Sequence, residues 1–267
     1  MQMGNQQRDD EQWQQWRAER AAGLASEHGW LSVVGRDWLA QDQQPTSISG
    51  FPGLWSAHGK VVTAHFSAAD DVQRDGQPVV GDVSLDLSAG DDSSLTHRTV
   101  RAEVISRDAF VGVRYRDSAA PRRLIFDGVP CFEFDPAWIV AAQFSARPPR
   151  RVTLQTIDPQ VNEQADIVGV IEFELAEQCH QLDVFGDLQR PFLNFHDQTN
   201  GQTTADWRFV MIDILDAETG RASIDFNRAM NFPFAFLPGG CTCPKPLSEA
   251  RLNVAITAGE RRPEEVQ

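Results

Sequence analysis

Lysine is almost missing from this chain of 267 residues: Lys60 and Lys245 are the only two, and arginine carries the rest of the positive charge. GC-rich codon usage accounts for that bias; a salt-adapted acidic surface is the sharper alternative, and the salt dependence of folding separates them. Basic charge as a whole is short, with 24 basic against 38 acidic side chains and a formal charge of −14. Such a balance repels nucleic acids unless basic residues cluster. The densest groups, Arg122-Arg123 and Arg147 to Arg151, are brief and lie beside prolines, so no nucleic-acid partner is expected. Cysteine is sparse: Cys131, Cys179, Cys241 and Cys243 are too few to frame a chain this long with disulfides. No apolar run reaches the roughly 18–20 residues of a membrane span. The opening residues, Met1 to Gln7, lack the basic and apolar stretches of a secretory signal. A soluble cytoplasmic protein with reduced thiols and no membrane partner is expected; its oligomeric state is not legible.

The familiar catalytic signatures are missing as well. There is no G-x-S-x-G elbow, no Walker loop, no G-x-G-x-x-G and no H-E-x-x-H. Cys241-Thr242-Cys243 offers two thiolates but no second pair of ligands at zinc-binding spacing, so no metal and no cofactor are expected. The six histidines are scattered. A flavin-binding barrel is a remoter idea, tested by the colour of the purified protein.

One helix is evident. Asp9 and Asp10 offer caps, Trp13, Trp16, Arg20 and Leu24 follow at helical spacing, and Gly29 ends the segment. The pattern then changes to period two. Val62, Ala64 and Phe66 alternate with polar neighbours, as do Val83, Leu85 and Leu87, then Val100, Ala102 and Val104, then Val111, Val113 and Tyr115. Asp75-Gly76 predicts a hairpin turn with positive φ. The Pro-rich stretch Arg147-Pro148-Pro149-Arg150 interrupts the alternation and is read as a join. Beyond it come Ile171, Phe173 and Leu175, Phe209 and Met211, and Ile224 and Phe226. The fold class expected is mainly β: two packed antiparallel β-sandwich or barrel-like halves with an N-terminal helix. Residues 1–28 form the helix and lead-in, 29–147 the N-terminal β half and 148–267 the C-terminal β half.

The segment Ile224 to Phe236 is the richest. Read as a strand, it sets Ser223, Asp225 and Asn227 on one face and Ile224, Phe226 and Arg228 on the other. An arginine on an apolar face needs a carboxylate, a carbonyl or a bound anion, because an unpaired buried guanidinium is very costly. Pairing with Asp225 needs the strand to end near Asn227; Asp197 is the other acidic candidate. His196-Asp197 opens the turn Asp197-Gln198-Thr199-Asn200-Gly201, whose residue types favour side-chain capping.

These segments resemble the prokaryotic domain of unknown function family 1684. The resemblance rests on Ile224-Asp225-Phe226-Asn227-Arg228-Ala229, then Asn231, Cys243-Pro244, Pro246, Arg251-Leu252 and Ala258-Gly259-Glu260. Upstream, Gly29-Trp30-Leu31, Gly112-Val113-Arg114, Phe126-Asp127-Gly128, Asp135-Pro136-Ala137-Trp138 and Asp197 to Gly201 also match. The family's cysteine-alanine-tyrosine reads Phe234-Ala235-Phe236 here, and Ala205-Asp206 stands where it carries tyrosine-glycine. The resemblance implies structurally coupled motifs and no established reaction. Two functions follow. In one, these residues lock a non-catalytic binding or structural β module. In the other, Asp197, Thr199, Asp225, Asn227, Arg228, Asn231 and Arg251 hold a small anionic ligand in an enzyme of hydrolytic type, centred on Asp225-Asn227-Arg228. A cavity beside Arg228 favours the second, a closed polar network the first.

Overall fold

The computed structural model describes residues 2–89, 95–237 and 239–263, with side chains from Asp9 onward. The chain divides into two compact units. One comprises Ala22–Asp127 and Leu237–Cys241; the other comprises Met1–Ala21, Gly128–Phe236 and Thr242–Gln267.

The first unit is a β-sandwich. One sheet contains β1 (Val33–Leu39), β4 (Gln73–Arg74), β5 (Gln77–Pro78), β7 (Leu95–His97), β8 (Val100–Arg107) and β9 (Phe110–Asp117), in the order β1-β9-β8-β7-β4-β5. The other is β2 (Leu54–His58), β3 (Val61–Phe66) and β6 (Gly81–Asp86), in the order β2-β3-β6. All pairings are antiparallel. Alternation sends Val62, Ala64, Phe66 and Leu85 from the smaller sheet, and Ala102, Val113 and Tyr115 from the larger, into one core. Asp75 and Gly76 have φ of 52° and 76° and join β4 to β5, the hairpin expected of that dipeptide.

Tyr115 also fastens a loop. Its hydroxyl donates to Asp37 Oδ2, which accepts further hydrogen bonds from Ser49 N at 2.8 Å and Ser49 Oγ at 2.7 Å. Burial alone would raise the Asp37 carboxyl, but these donors hold it below its ordinary value. A depressed carboxyl stabilises the fold above its unfolded pKa and loses that effect as pH falls through the folded one. Tyr115→Phe is therefore expected to cost about 1–2 kcal/mol at neutral pH, the low end for a hydrogen bond to a half-exposed charge. Urea unfolding should show the difference shrinking below about pH 4. A cost that does not vary with pH would mean that Asp37 takes no part.

The second unit carries α1 (Gln2–Leu24), except for the helix's last three residues, and seven strands. The helix starts before Asp9 and Asp10, which are therefore interior rather than caps. Its first turns are polar, so apolar periodicity could not reveal them. Trp13 is its buried anchor, and the indole Nε1 donates to Asn227 O at 3.0 Å. The strands are β10 (Ile139–Gln155), β11 (Asn162–Leu175), β12 (Gln178–Phe185), β13 (Phe192–Phe195), β14 (Arg208–Asp216), β15 (Arg221–Asp225) and β16 (Met230–Asn231). Their order is β13-β12-β11-β10-β15-β14-β16, and β13 also pairs with β14. The sheet thus curls round a core that includes Ile171, Val184, Leu193, Phe195, Val210, Ile224 and Phe226. It is barrel-like rather than closed, because β12 and β13 meet at one residue pair, Phe185 with Phe192.

The join expected at Pro148-Pro149 is not found. Both prolines lie inside β10, where the register jumps between Ala146 and Arg150. A bulge tolerates residues that cannot donate to the ladder, so proline here marks a break in pairing and not a break in the chain's domains. The units instead divide between Asp127 and Gly128, and β10 lies wholly in the second.

Candidate functional site

Asp197 follows β13 and is the centre of a tightly knit turn. Its Oδ1 accepts from Thr199 N at 2.7 Å and from Thr199 Oγ1 at 2.5 Å. Asn200 Oδ1 accepts from Asp197 N at 2.7 Å, while Asn200 Nδ2 donates to Thr204 Oγ1 at 3.0 Å and to Ala205 O at 2.9 Å. Aspartate, threonine and asparagine suit this turn because short polar side chains can satisfy the backbone locally. Asp197 Oδ2 is gripped by Arg208 Nη2 at 2.8 Å, and both side chains are fully buried.

Arg208 opens β14, in step with Val210 and Ile212 on the core face. Its Nη1 donates to Ala258 O at 2.5 Å and Glu260 O at 3.2 Å, and its Nη2 also reaches Ile256 O at 3.0 Å. Burial lowers the pKa of this guanidinium, and the adjacent Asp197 carboxylate opposes that loss. The side chain thereby ties residues 256–260 to the barrel-like sheet.

A second buried carboxylate stands at the end of that segment. Glu260 Oε1 accepts from Arg20 Nε at 2.9 Å and Oε2 from Asn231 N at 2.6 Å; Arg20 Nη2 also donates to Asn231 O at 2.8 Å. Asn231 Nδ2 donates to Arg261 O at 2.8 Å. Gly259, just before, has φ of +76°, and a Cβ there would lie 2.6 Å from Ala229 O. Only glycine meets both conditions.

The Asp225-Asn227-Arg228 motif departs from the expected strand. β15 ends at Asp225, and Phe226–Arg228 form a 3-10 turn capped by the Asp225 carboxylate, which accepts from Asn227 N at 3.0 Å. A similar aspartate-capped turn, Pro136–Trp138, follows Asp135. Asn227 joins the two: its Oδ1 accepts from Asp135 N at 3.0 Å, and its Nδ2 donates to Asp135 O at 2.9 Å and to Asp225 Oδ1 at 3.0 Å. The turn swings Arg228 off the apolar face, leaving 36% of its side chain exposed. Its Nε sits 3.2 Å from Asp225 Oδ2, near enough for charge attraction but off the line of a hydrogen bond. The strand end near Asn227 that this pairing requires is present.

The seven sequence candidates therefore do not converge on one centre. Asp197 and Thr199 meet at Arg208, Asn231 meets Glu260, and Asp225, Asn227 and Arg228 meet Asp135. Arg251 is exposed and takes part through a backbone bridge to His196. Sequence reasoning missed Arg208, Glu260, Arg20 and the backbone role of Asp135. The signal applied to Arg228, an arginine in step with apolar residues two positions away, belongs to Arg208. Among the described residues, no group of three or more His, Cys, Asp or Glu could hold a metal ion, and no helix is long and apolar enough to cross a membrane.

Most of these buried contacts fall in a segment with known relatives. The family described as "Protein of unknown function (DUF1684)" matches residues 125–261, just over half of the chain. No curated protein matches. Among solved structures, the solution structure of an uncharacterized protein of Haloarcula marismortui is 29% identical and covers 52% of this chain and 79% of its own, with a TM-score of 0.43. The matched span contains Asp135, the Asp197 turn, Arg208, the Asp225 motif and Glu260, and the chain belongs to the DUF1684 family of proteins of unknown function.

Proposed function

We propose that the barrel-like unit is a non-catalytic binding or structural module whose family motifs lock its loops onto the sheet. The observation that carries this reading is the saturation of the buried carboxylates. Both oxygens of Asp197 and both of Glu260 are engaged by donors of the same unit. A carboxylate held this way and shut off from solvent is committed to the fold rather than presented to a substrate for proton exchange. A cytoplasmic setting is supported by the four cysteines, which are thiols rather than disulfides. The acidic balance supports a module without nucleic-acid partners.

A second reading, an anionic-ligand enzyme of hydrolytic type at Asp225-Asn227-Arg228, has one observation in its favour. Burial pushes the Asp225 carboxyl up from its ordinary value, against hydrogen bonds from Asn227 and the charge of Arg228, and Arg228 is open to solvent on one side. Two variants separate the readings. Asn227→Ala is expected to cost about 1–3 kcal/mol, because Asp135 N–H loses its acceptor and Asp135 O and Asp225 Oδ1 lose a donor. Arg228→Ala is expected to cost under about 1 kcal/mol, as exposed ion pairs do. Thermal melts with a panel of phosphates and carboxylates should be unchanged by Arg228→Ala. An anion-induced shift abolished by that substitution would transfer support to the enzyme reading.

A further inference from the structure

Arg114 lies midway along β9 in the sandwich unit, opposite Arg36 on β1 and Glu103 on β8. These three share the sheet face turned away from the sandwich core, together with Arg107 and Arg116. Arg101, opposite Arg116, lies on the same face. Arg114 is 3% exposed. Its Nη1 reaches Glu103 Oε2 only at 3.4 Å, and Arg116 Nε takes the same oxygen at 2.8 Å. Its Nε and Nη2 have no hydrogen-bond partner among the described residues.

Those two atoms form one edge of the guanidinium, the fork that grips two oxygens at once. The protein uses this edge elsewhere. Arg151 Nε and Nη2 hold the two oxygens of Asp166 at 2.8 and 2.7 Å, and Arg20 spans Glu260 and Asn231 O with the same pair. The Trp30 ring lies over Arg114 at 4.9 Å and over Arg116 at 5.3 Å. That contact offsets charge above the plane, but an aromatic face cannot accept the in-plane N–H groups. Burial draws the Arg114 pKa down to about 10; Glu103 and the Cys241 thiol oppose the fall, and Arg116 and Arg107 add to it. The group therefore remains a cation at neutral pH. Leaving a buried cation with its strongest donor edge empty is costly unless something fills it.

We propose that the Arg114 fork is a receptor for a small oxyanion, a carboxylate or phosphoryl group held through Nε and Nη2, with Arg116 as the second cation. Trp30, half-buried on the 3-10 turn Trp30–Ser32, packs over the plane of both guanidinium groups and leaves the in-plane edge of Arg114 to the anion. The site belongs to the sandwich unit and does not depend on the reading of the motif residues above.

Titration of the intact protein with inorganic phosphate and, separately, with acetate tests this, using sodium chloride at matched ionic strength as the reference. The expected result is a saturable rise in melting temperature and a calorimetric isotherm with at least one of the two. Response to phosphate alone assigns a phosphoryl ligand, to acetate alone a carboxylate; response to both assigns a fork that accepts either. Arg114→Lys keeps the charge but has no fork, and should weaken binding about tenfold or more; Arg151→Ala should leave it unchanged. Wild-type protein that responds to neither anion beyond chloride overturns the proposal, whatever the variants do. So does a response that survives in Arg114→Lys.

Discussion

Arg208→Met is expected to destabilise the protein by about 3–5 kcal/mol, the range for removing one partner of a buried ion pair. Methionine restores bulk but no donor. The fully buried Asp197 carboxylate would lose its cation, and the carbonyls of Ile256, Ala258 and Glu260 would each lose a hydrogen bond. Replacing Asp197 by Asn as well should recover part of the loss, because the second substitution removes the stranded charge. Urea denaturation of the two single variants and the double variant forms a cycle, with a coupling of about 1–3 kcal/mol expected. Additive single effects, or an Arg208→Met cost below about 1 kcal/mol, would show that the pair is no anchor.

Gly259→Ala should come next in size, at about 2–5 kcal/mol. Two costs combine in it. A backbone at φ +76° is strained for any residue with a Cβ, by about 1–2 kcal/mol. The new methyl would also stand 2.6 Å from Ala229 O and 2.8 Å from Phe226 O, an overpacking worth about 1–3 kcal/mol. Relief by moving the segment is blocked on both sides. Glu260 N donates to Ala229 O at 2.8 Å, and Phe132 N donates to Gly259 O at 3.0 Å. Gly23→Ala is the matched control: nothing lies within 4 Å of its Cβ position, and in a helix alanine should be neutral or stabilising by up to about 1 kcal/mol. Equal melting temperatures for the two alanine variants would refute the close approach at Gly259.

The sandwich was the most legible part of the sequence because its signals are local. Alternation at Val62, Ala64 and Phe66 and the Asp75-Gly76 turn each need a handful of adjacent residues, and each is present in the structure. Pro148-Pro149 misled because proline marks loops and bulges alike, and only the partner strand β11 distinguishes them. Arg228 misled because two alternating apolar residues before it cannot show that a strand stops at Asp225. The polar lock was mostly illegible for a different reason. Arg20 and Glu260 are 240 residues apart, and Trp13 and Asn227 are 214 apart. No spacing rule connects such positions, so the motifs could be identified while their partners could not.

That separation bears on how the chain comes off the ribosome. Helix α1 is made well before its partners, for the acceptors of Trp13 and Arg20 are Asn227, Asn231 and Glu260. Residues 22–127, nearly all of the sandwich, are synthesised in between and find their strand partners among themselves. Contacts of long sequence separation form slowly, because the closure entropy of the intervening chain must be met first. The nascent chain thus carries helix α1, with Trp13 still lacking its acceptor, through the 214 residues that separate Trp13 from Asn227, and the helix is seated only by segments made long after it.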